Sequence, residues 1–121
     1  MSNKILTVYW YPRCSTCRNA VAWLQKHNVA VTLIDMVQTP PSTALLQKLF
    51  KRSGSPITRF FNTSGELYRE FQLAKKLPSM TDDQALDLLS RHGKLIKRPL
   101  VFSTDLVTIG FKEDIFKRTW V

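Results

Sequence analysis

The stretch Tyr11-Pro12-Arg13-Cys14-Ser15-Thr16-Cys17-Arg18-Asn19 lies between a solid apolar run, Ile5 to Tyr11, and an amphipathic pattern that continues to about His27. An apolar run followed at once by helical periodicity predicts a strand that turns directly into a helix. The two cysteines, the only ones in the chain, fall at that junction. A C-x-x-C at a strand end and helix mouth, inside a strand–helix–strand pattern, reads as a redox dithiol. The unpaired N–H groups and roughly half a positive charge at a helix N-terminus favour a thiolate over a thiol. Thiolates attack disulfides and oxyanions, so Cys14 is the candidate nucleophile. Arg13 and Arg18 flank the pair, and no acidic residue precedes Asp35, so the local potential is positive. Cys17, almost one turn on, is placed to resolve an adduct on Cys14. The expectations are a Cys14 thiol that titrates below the ~8.5 of free cysteine and a Cys14–Cys17 disulfide under mild oxidant.

Lys4 to Tyr11 carries apolar residues at both parities, as a central parallel strand covered on both faces does. Cys17, Ala20, Val21 and Leu24 then fall on one helical stripe. Cys17 therefore has two readings, a small core residue or a resolving thiol. Val29 to Ile34 predicts a second buried strand, joined to the first by a right-handed parallel crossover.

Thr39-Pro40-Pro41-Ser42 breaks the pattern and opens a helix, with proline in its first turn, the stripe Leu45, Leu46, Leu49 and Phe50, and Gly54 at its end. Pro56 to Leu77 reads as short helical pieces anchored by Phe60, Phe61, Leu67, Tyr68 and Phe71, with a turn at Asn62-Thr63-Ser64-Gly65. Thr81-Asp82-Asp83-Gln84 is a capping box, followed by the stripe Ala85, Leu88, Leu89 and His92, with Gly93 closing the helix. Leu95 to Phe102 and Leu106 to Ile109 predict a hairpin across Ser103-Thr104-Asp105. Pro99 interrupts its first strand, and a cis bond after Arg98 is one solution. Lys112 to Trp120 predicts a final helix, acidic at its start and basic at its end.

At 121 residues, with 44% apolar and 22% charged residues, the chain predicts one soluble globular domain. No run is long enough to span a bilayer, and Met1-Ser2-Asn3-Lys4 leads straight into a strand, which points to the cytoplasm, where the thiols stay reduced. The net charge of +9 is spread along the chain with no Lys/Arg run longer than two, so a solvated basic surface is favoured over direct nucleic-acid binding. His27 and His92, far apart and without a second C-x-x-C, do not make a zinc site with the thiols; His27 reads as a helix end and His92 as core or helix end.

The order of elements resembles an α/β thioredoxin-like fold, a mixed four-stranded sheet with an inserted helical subdomain. Residues 1–39 and 94–121 form the core of the single domain and 40–93 the insertion. Cys14-Ser15-Thr16-Cys17-Arg18-Asn19, Thr39-Pro40-Pro41-Ser42, Lys97-Arg98-Pro99-Leu100 and Gly110-Phe111-Lys112-Glu113 together resemble the arsenate reductase and Spx family, almost end to end. In the glutaredoxin-dependent reductases the resemblance implies that Cys14 attacks arsenate while Arg98, before the fold's proline, holds the oxyanion in its planar fork. Arg18, Asn19 and Pro99 are carried over as residues that bind oxyanion or thiol. Two further family arginines are replaced by Asn62 and Phe111, with Arg59 and Lys112 close in sequence as substitutes. Cys17 stands where those reductases usually have serine, and the departure implies an intramolecular disulfide that would replace part of the external thiol supply. No cofactor is expected to stay bound; glutathione with glutaredoxin, or thioredoxin, is the implied external reductant, and a small oxyanion or a thiol/disulfide the substrate. The C-x-x-C pair is typical of the Spx branch of redox-sensing regulators, which bind the RNA polymerase alpha C-terminal domain. Gly54 matches a glycine of that contact, while Asn62 occupies the place of an arginine important there. The place of Arg98 before Pro99 is the one reason to aim it at Cys14, and the alternative reading is an ordinary surface arginine.

Overall fold

The computed structural model describes residues 5–121, so Lys4, the expected start of the first strand, lies outside the described residues. The chain runs β1 (Ile5–Trp10), α1 (Ser15–Lys26), β2 (Ala30–Asp35), α2 (Thr43–Ser53), α3 (Glu66–Glu70), α4 (Leu73–Lys76), α5 (Asp82–Arg91), β3 (Leu100–Phe102), β4 (Val107–Ile109) and α6 (Glu113–Trp120). Single 3-10 turns at Ile57–Phe60, Leu77–Ser79 and Gly93–Leu95 join the helical pieces. The sheet has four strands in the order β2-β1-β3-β4. β1 and β2 pair parallel with Thr7 opposite Thr32, whereas β3 pairs antiparallel with β1, Val8 opposite Val101, and with β4, Val101 opposite Thr108. This is the mixed α/β sheet expected from the order of elements.

Alternation along the strands divides the core between two faces. Leu6, Val8 and Val101 pack with Ala20, Val21 and Leu24 of α1 and Phe116 of α6. Tyr9 and Leu100 point the other way, into a larger cluster built from Leu46, Leu49, Phe60, Phe61, Tyr68, Leu86 and Leu89. The helices between β2 and β3 thus cover one sheet face, and α1 with α6 the other. Ser42 caps α2 by accepting from the Leu45 N–H at 3.1 Å, and Gly54 ends that helix at φ 61°, the left-handed conformation glycine adopts without penalty. Both halves of the α5 capping box form, with the Thr81 N–H donating to Gln84 Oε1 at 2.9 Å and the Gln84 N–H to Thr81 Oγ1 at 3.1 Å.

Several expectations need correction. β2 is an edge strand with one neighbour, and its Ala30, Thr32 and Leu33 are exposed rather than buried. Leu95 and Ile96 are fully buried but lie in a 3-10 turn and an isolated bridge from Ile96 to Phe61, so the first strand of the hairpin shrinks to Leu100–Phe102. Pro40 and Pro41 precede the cap of α2 instead of entering its first turn. The buried stripe of α5 contains Leu86, while Leu88 and His92 are half-buried and His92 sits at the helix end against Phe71. Gly93 begins the following turn, where its backbone lies so close to Met36 that an added Cβ would fall 1.8 Å from the Met36 carbonyl oxygen. The Arg98–Pro99 peptide bond is cis.

Candidate active site

The turn from β1 into α1 is tied by its own backbone. The Cys14 N–H donates to the Tyr11 carbonyl at 2.9 Å, and the Arg18 N–H to the Cys14 carbonyl at 3.0 Å. Cys14 is therefore the N-cap of α1, with extended φ −88° and ψ 122°, and no acid occupies the first turn. Its thiol is free and half-exposed. Partial burial pushes the Cys14 thiol up, but the Cys17 N–H, the Arg98 guanidinium and the Cys17 thiol outweigh it and hold the thiol below its ordinary value. Cys17 is 0% exposed. Burial pushes its thiol up to about 12; the N–H of Tyr11, donating to Cys17 Sγ at 3.5 Å, lowers it, and the neighbouring Cys14 charge raises it further. The pair is thus split into an ionisable outer sulfur and a protonated inner one.

Cys14 opens onto a cleft of about 530 Å³ whose walls include Arg59, Asn62, Lys97, Arg98 and Lys112, with no aspartate or glutamate among its lining residues. Four cations from three separate segments therefore line the cleft onto which the sulfur opens, and of these Arg98 acts on the sulfur directly. Arg98, half-buried beside the cis proline, donates from one Nη to the Lys94 carbonyl at 3.3 Å, which leaves most of its fork free. Arg59 and Lys112, offered as substitutes for the missing arginines, both reach this cleft, and Asn62 and Phe111 line it as well. Lys97 joins them, although nothing but its adjacency to Arg98 marks it in the sequence. Of the other carried-over residues, Arg18 is exposed and donates to the Pro12 carbonyl at 3.0 Å, holding the loop from outside. Arg18, Asn19 and Pro99 are not among the lining residues. Tyr11, read in the sequence only as the end of the apolar run, meets both cysteines through its backbone, a contact no reactive atom marks. Among the described residues, no group of three or more His, Cys, Asp or Glu could hold a metal, and no helix is long and apolar enough to cross a membrane.

Comparison with known proteins finds relatives that match this chain over most of its length. The chain is 48% identical over 115 residues to the uncharacterized protein YusI of Bacillus subtilis, covering 95% of this chain and 98% of that one. It is 36% identical to an arsenate reductase of Escherichia coli, over 84% of this chain and 69% of the relative. To the global transcriptional regulator Spx 1 of Lactococcus lactis it is 27% identical, over 91% of this chain and 84% of the regulator. Among solved structures, an ArsC family related protein from Bacteroides fragilis superposes with a TM-score of 0.90 at 40% identity, covering 93% of this chain and 95% of its own. The ArsC family model matches residues 9–119, from the end of β1 to the last turn of α6, and the chain belongs to the ArsC family.

Proposed function

We propose that the protein is a thiol-dependent oxidoreductase that reduces a small oxyanion of the arsenate type, with Cys14 as nucleophile, Arg98 as the cation that holds the oxyanion, and Cys17 as resolving thiol. The observation that carries this reading is a half-exposed Cys14, held below its ordinary pKa, facing a cleft lined by four cations and no carboxylate. Tetrahedral oxyanions fit such a site because the guanidinium fork and the free N–H groups at the mouth of α1 both bind negative oxygen.

The Cys14 thiolate displaces one oxygen of arsenate, which leaves as water after taking protons, and an S–As bond forms. Cys17 then attacks the Cys14 sulfur. An S–S bond forms as the S–As bond breaks, its electron pair stays on arsenic, and arsenic(V) departs as arsenite. Two thiols and arsenate thus become a disulfide, arsenite and water. Burial, the main cause of the raised Cys17 pKa, is the same in the adduct, so Cys17 attacks as its proton is lost in the exchange step rather than as a preformed thiolate. Thioredoxin, or glutathione with glutaredoxin, returns two electrons to the disulfide.

The test is turnover of arsenate with each reductant supplied, followed by arsenite release. A second reading, a redox-responsive regulator docking on the RNA polymerase alpha C-terminal domain, draws on Gly54, which stands exposed at the end of α2 with open space around it. A purified protein that turns over no oxyanion or disulfide but retains that domain in a pull-down replaces the first reading with the second.

A further inference from the structure

Tyr11 touches all three residues of the proposed chemistry. Its carbonyl accepts the Cys14 N–H at 2.9 Å and its N–H donates to Cys17 Sγ at 3.5 Å. Its ring lies under the Arg98 guanidinium, 5.2 Å from centroid to Cζ. We propose, on the reading of the site as an oxyanion-reducing thiol centre, that Tyr11 is a positioning residue whose ring holds the Arg98 guanidinium against the Cys14 side of the cleft.

The geometry favours this division of labour. A guanidinium stacks through its flat face and donates hydrogen bonds through its edge. A ring that occupies the face fixes the plane while the edge stays free for the sulfur or an oxyanion. Apart from its contact with the Cys14 thiol, Arg98 has one protein hydrogen bond among the described residues, to the Lys94 carbonyl at 3.3 Å. One carbonyl and one sulfur, both reached through the edge, leave the face of the guanidinium without a partner other than the ring. Arg98 also lines two hollows, the cleft that holds Cys14 and a neighbouring one of about 340 Å³ that contains Tyr11, Glu66, Leu67 and Lys94. Glu66 is the one carboxylate among the lining residues of that second hollow, and a guanidinium released from the ring would be drawn toward it and away from Cys14. Lys94 places its own Nζ 5.8 Å from the centroid of the same ring, a second cation on it. The charged or ionisable groups facing Cys14 are Arg98 and Cys17, with Arg59, Lys97 and Lys112 farther along the cleft.

The experiment is the pH dependence of Cys14 alkylation by iodoacetamide in wild type, Tyr11→Leu, Tyr11→Phe, Arg98→Ala and the Tyr11→Leu/Arg98→Ala double variant, all in a Cys17→Ser background so that one thiol is read. Tyr11→Leu is expected to slow alkylation at neutral pH about threefold by shifting the profile upward, the range a partly exposed cation–π contact supports. Tyr11→Phe keeps the wild-type profile, and Tyr11→Leu adds nothing once Arg98 is gone. Equal effects of Tyr11→Leu with and without Arg98, no effect at all, or a Tyr11→Phe profile as shifted as that of Tyr11→Leu would each overturn the proposal. If Arg98→Ala leaves the profile in place, it is the role of Arg98 in the site that fails; if Arg98→Ala shifts it and Tyr11→Leu does not, only the role of Tyr11 fails. Should Tyr11→Leu not fold, the Arg98 Nε–Hε resonance of the otherwise wild-type protein decides: an upfield ring-current shift supports the contact, and a random-coil position removes it.

Discussion

The sulfur half of the site and the cation half are built by opposite means. Everything that places Cys14 lies within a few residues of it: the Tyr11 carbonyl, the Arg18 N–H and the Arg18 side chain on the Pro12 carbonyl. The cations instead come from the 3-10 turn that holds Arg59, the segment before β3 that holds Lys97 and Arg98, and the N-cap of α6, Lys112. Long-range backbone bonds stitch those segments together. The Lys97 N–H donates to the Phe60 carbonyl at 2.8 Å, the Asn62 N–H to the Leu95 carbonyl at 2.7 Å, and the Gly110 N–H to the Pro99 carbonyl at 2.9 Å. The reactive atom is therefore a local product of the chain and its charge environment a tertiary one. Damage to packing should displace the cations before it disturbs the thiol.

The largest effect expected falls on the local half. Cys14→Ser should lower arsenate reduction by about three orders of magnitude or more, because a serine hydroxyl is not ionised at neutral pH and cannot pass an electron pair to arsenic. Cys17→Ser should still form the arsenic adduct on Cys14 but leave it to external thiol, giving no internal disulfide in peptide mass mapping. A Cys14→Ser protein with a tenth of wild-type turnover would move the chemistry away from this sulfur.

Next comes a change aimed at the tertiary half. Gly93→Ala puts a Cβ on the Met36 carbonyl, a backbone neighbour that cannot rotate away, just upstream of Lys97 and Arg98. The loss should be about 3 kcal/mol of stability in urea unfolding, the upper range of overpacking costs. In the folded fraction, Cys14 alkylation at neutral pH should slow as the cations shift, while α1 persists. A loss under about 0.5 kcal/mol, the scale of an ordinary surface change, would show that this stretch yields easily and that the two halves are not so differently built.

The same division governs what could be read from residues alone. The β1–α1 junction, the capping box of α5, the αL glycine after α2 and the cis bond before Pro99 are local chemistry, and their signals are in the adjacent residues. β2 looks buried by composition, and only the strand order puts it at the edge. Leu95 and Ile96 carry the apolarity of a strand because they are core residues, yet burial in a 3-10 turn and one bridge satisfies them without a ladder. Arg59 and Lys112 could be noted as near their family counterparts, but no neighbouring residue aims them; the bonds from Lys97 to Phe60 and from Gly110 to Pro99 do. The face of Tyr11 toward Arg98 belongs to the same class, a contact between residues 87 positions apart that no local pattern encodes.

Within the local half, the two sulfurs should separate by pH. The folded Cys17 thiol is raised from 9.0 to about 12, so the folded state favours its protonated form. That contribution to stability is fully present below the ordinary thiol value and is lost as the pH rises toward about 12. Cys14 acts in the opposite sense, since its lowered pKa adds stability as the pH rises toward the ordinary thiol value. Between pH ~9 and ~11 the stability difference between wild type and Cys17→Ala should fall by up to about 1.4 kcal/mol per pH unit. Urea midpoints at three or four pH values measure it, and a difference that stays flat would mean the inner thiol ionises freely.

The smallest effects should come from the outer cations, and they test how far the tertiary half reaches. Arg59→Ala and Lys112→Ala remove charges that face the cleft but act on the Cys14 sulfur more weakly than Arg98, which alone among the cations holds its thiol down. Both side chains are exposed, so water and salt screen them. Each substitution should raise the KM for arsenate about threefold with kcat nearly unchanged, as expected for an exposed charge worth well under 1 kcal/mol. The effect should shrink further in 0.5 M salt. Arg98→Ala should instead lower kcat, because its charge is felt by the sulfur itself and by negative oxygen developing beside it. If Arg59→Ala or Lys112→Ala lowered kcat as much as Arg98→Ala, the outer cations would touch the reacting atoms, and the tertiary half would have to be counted as one continuous oxyanion cradle rather than one arginine with a charged surround.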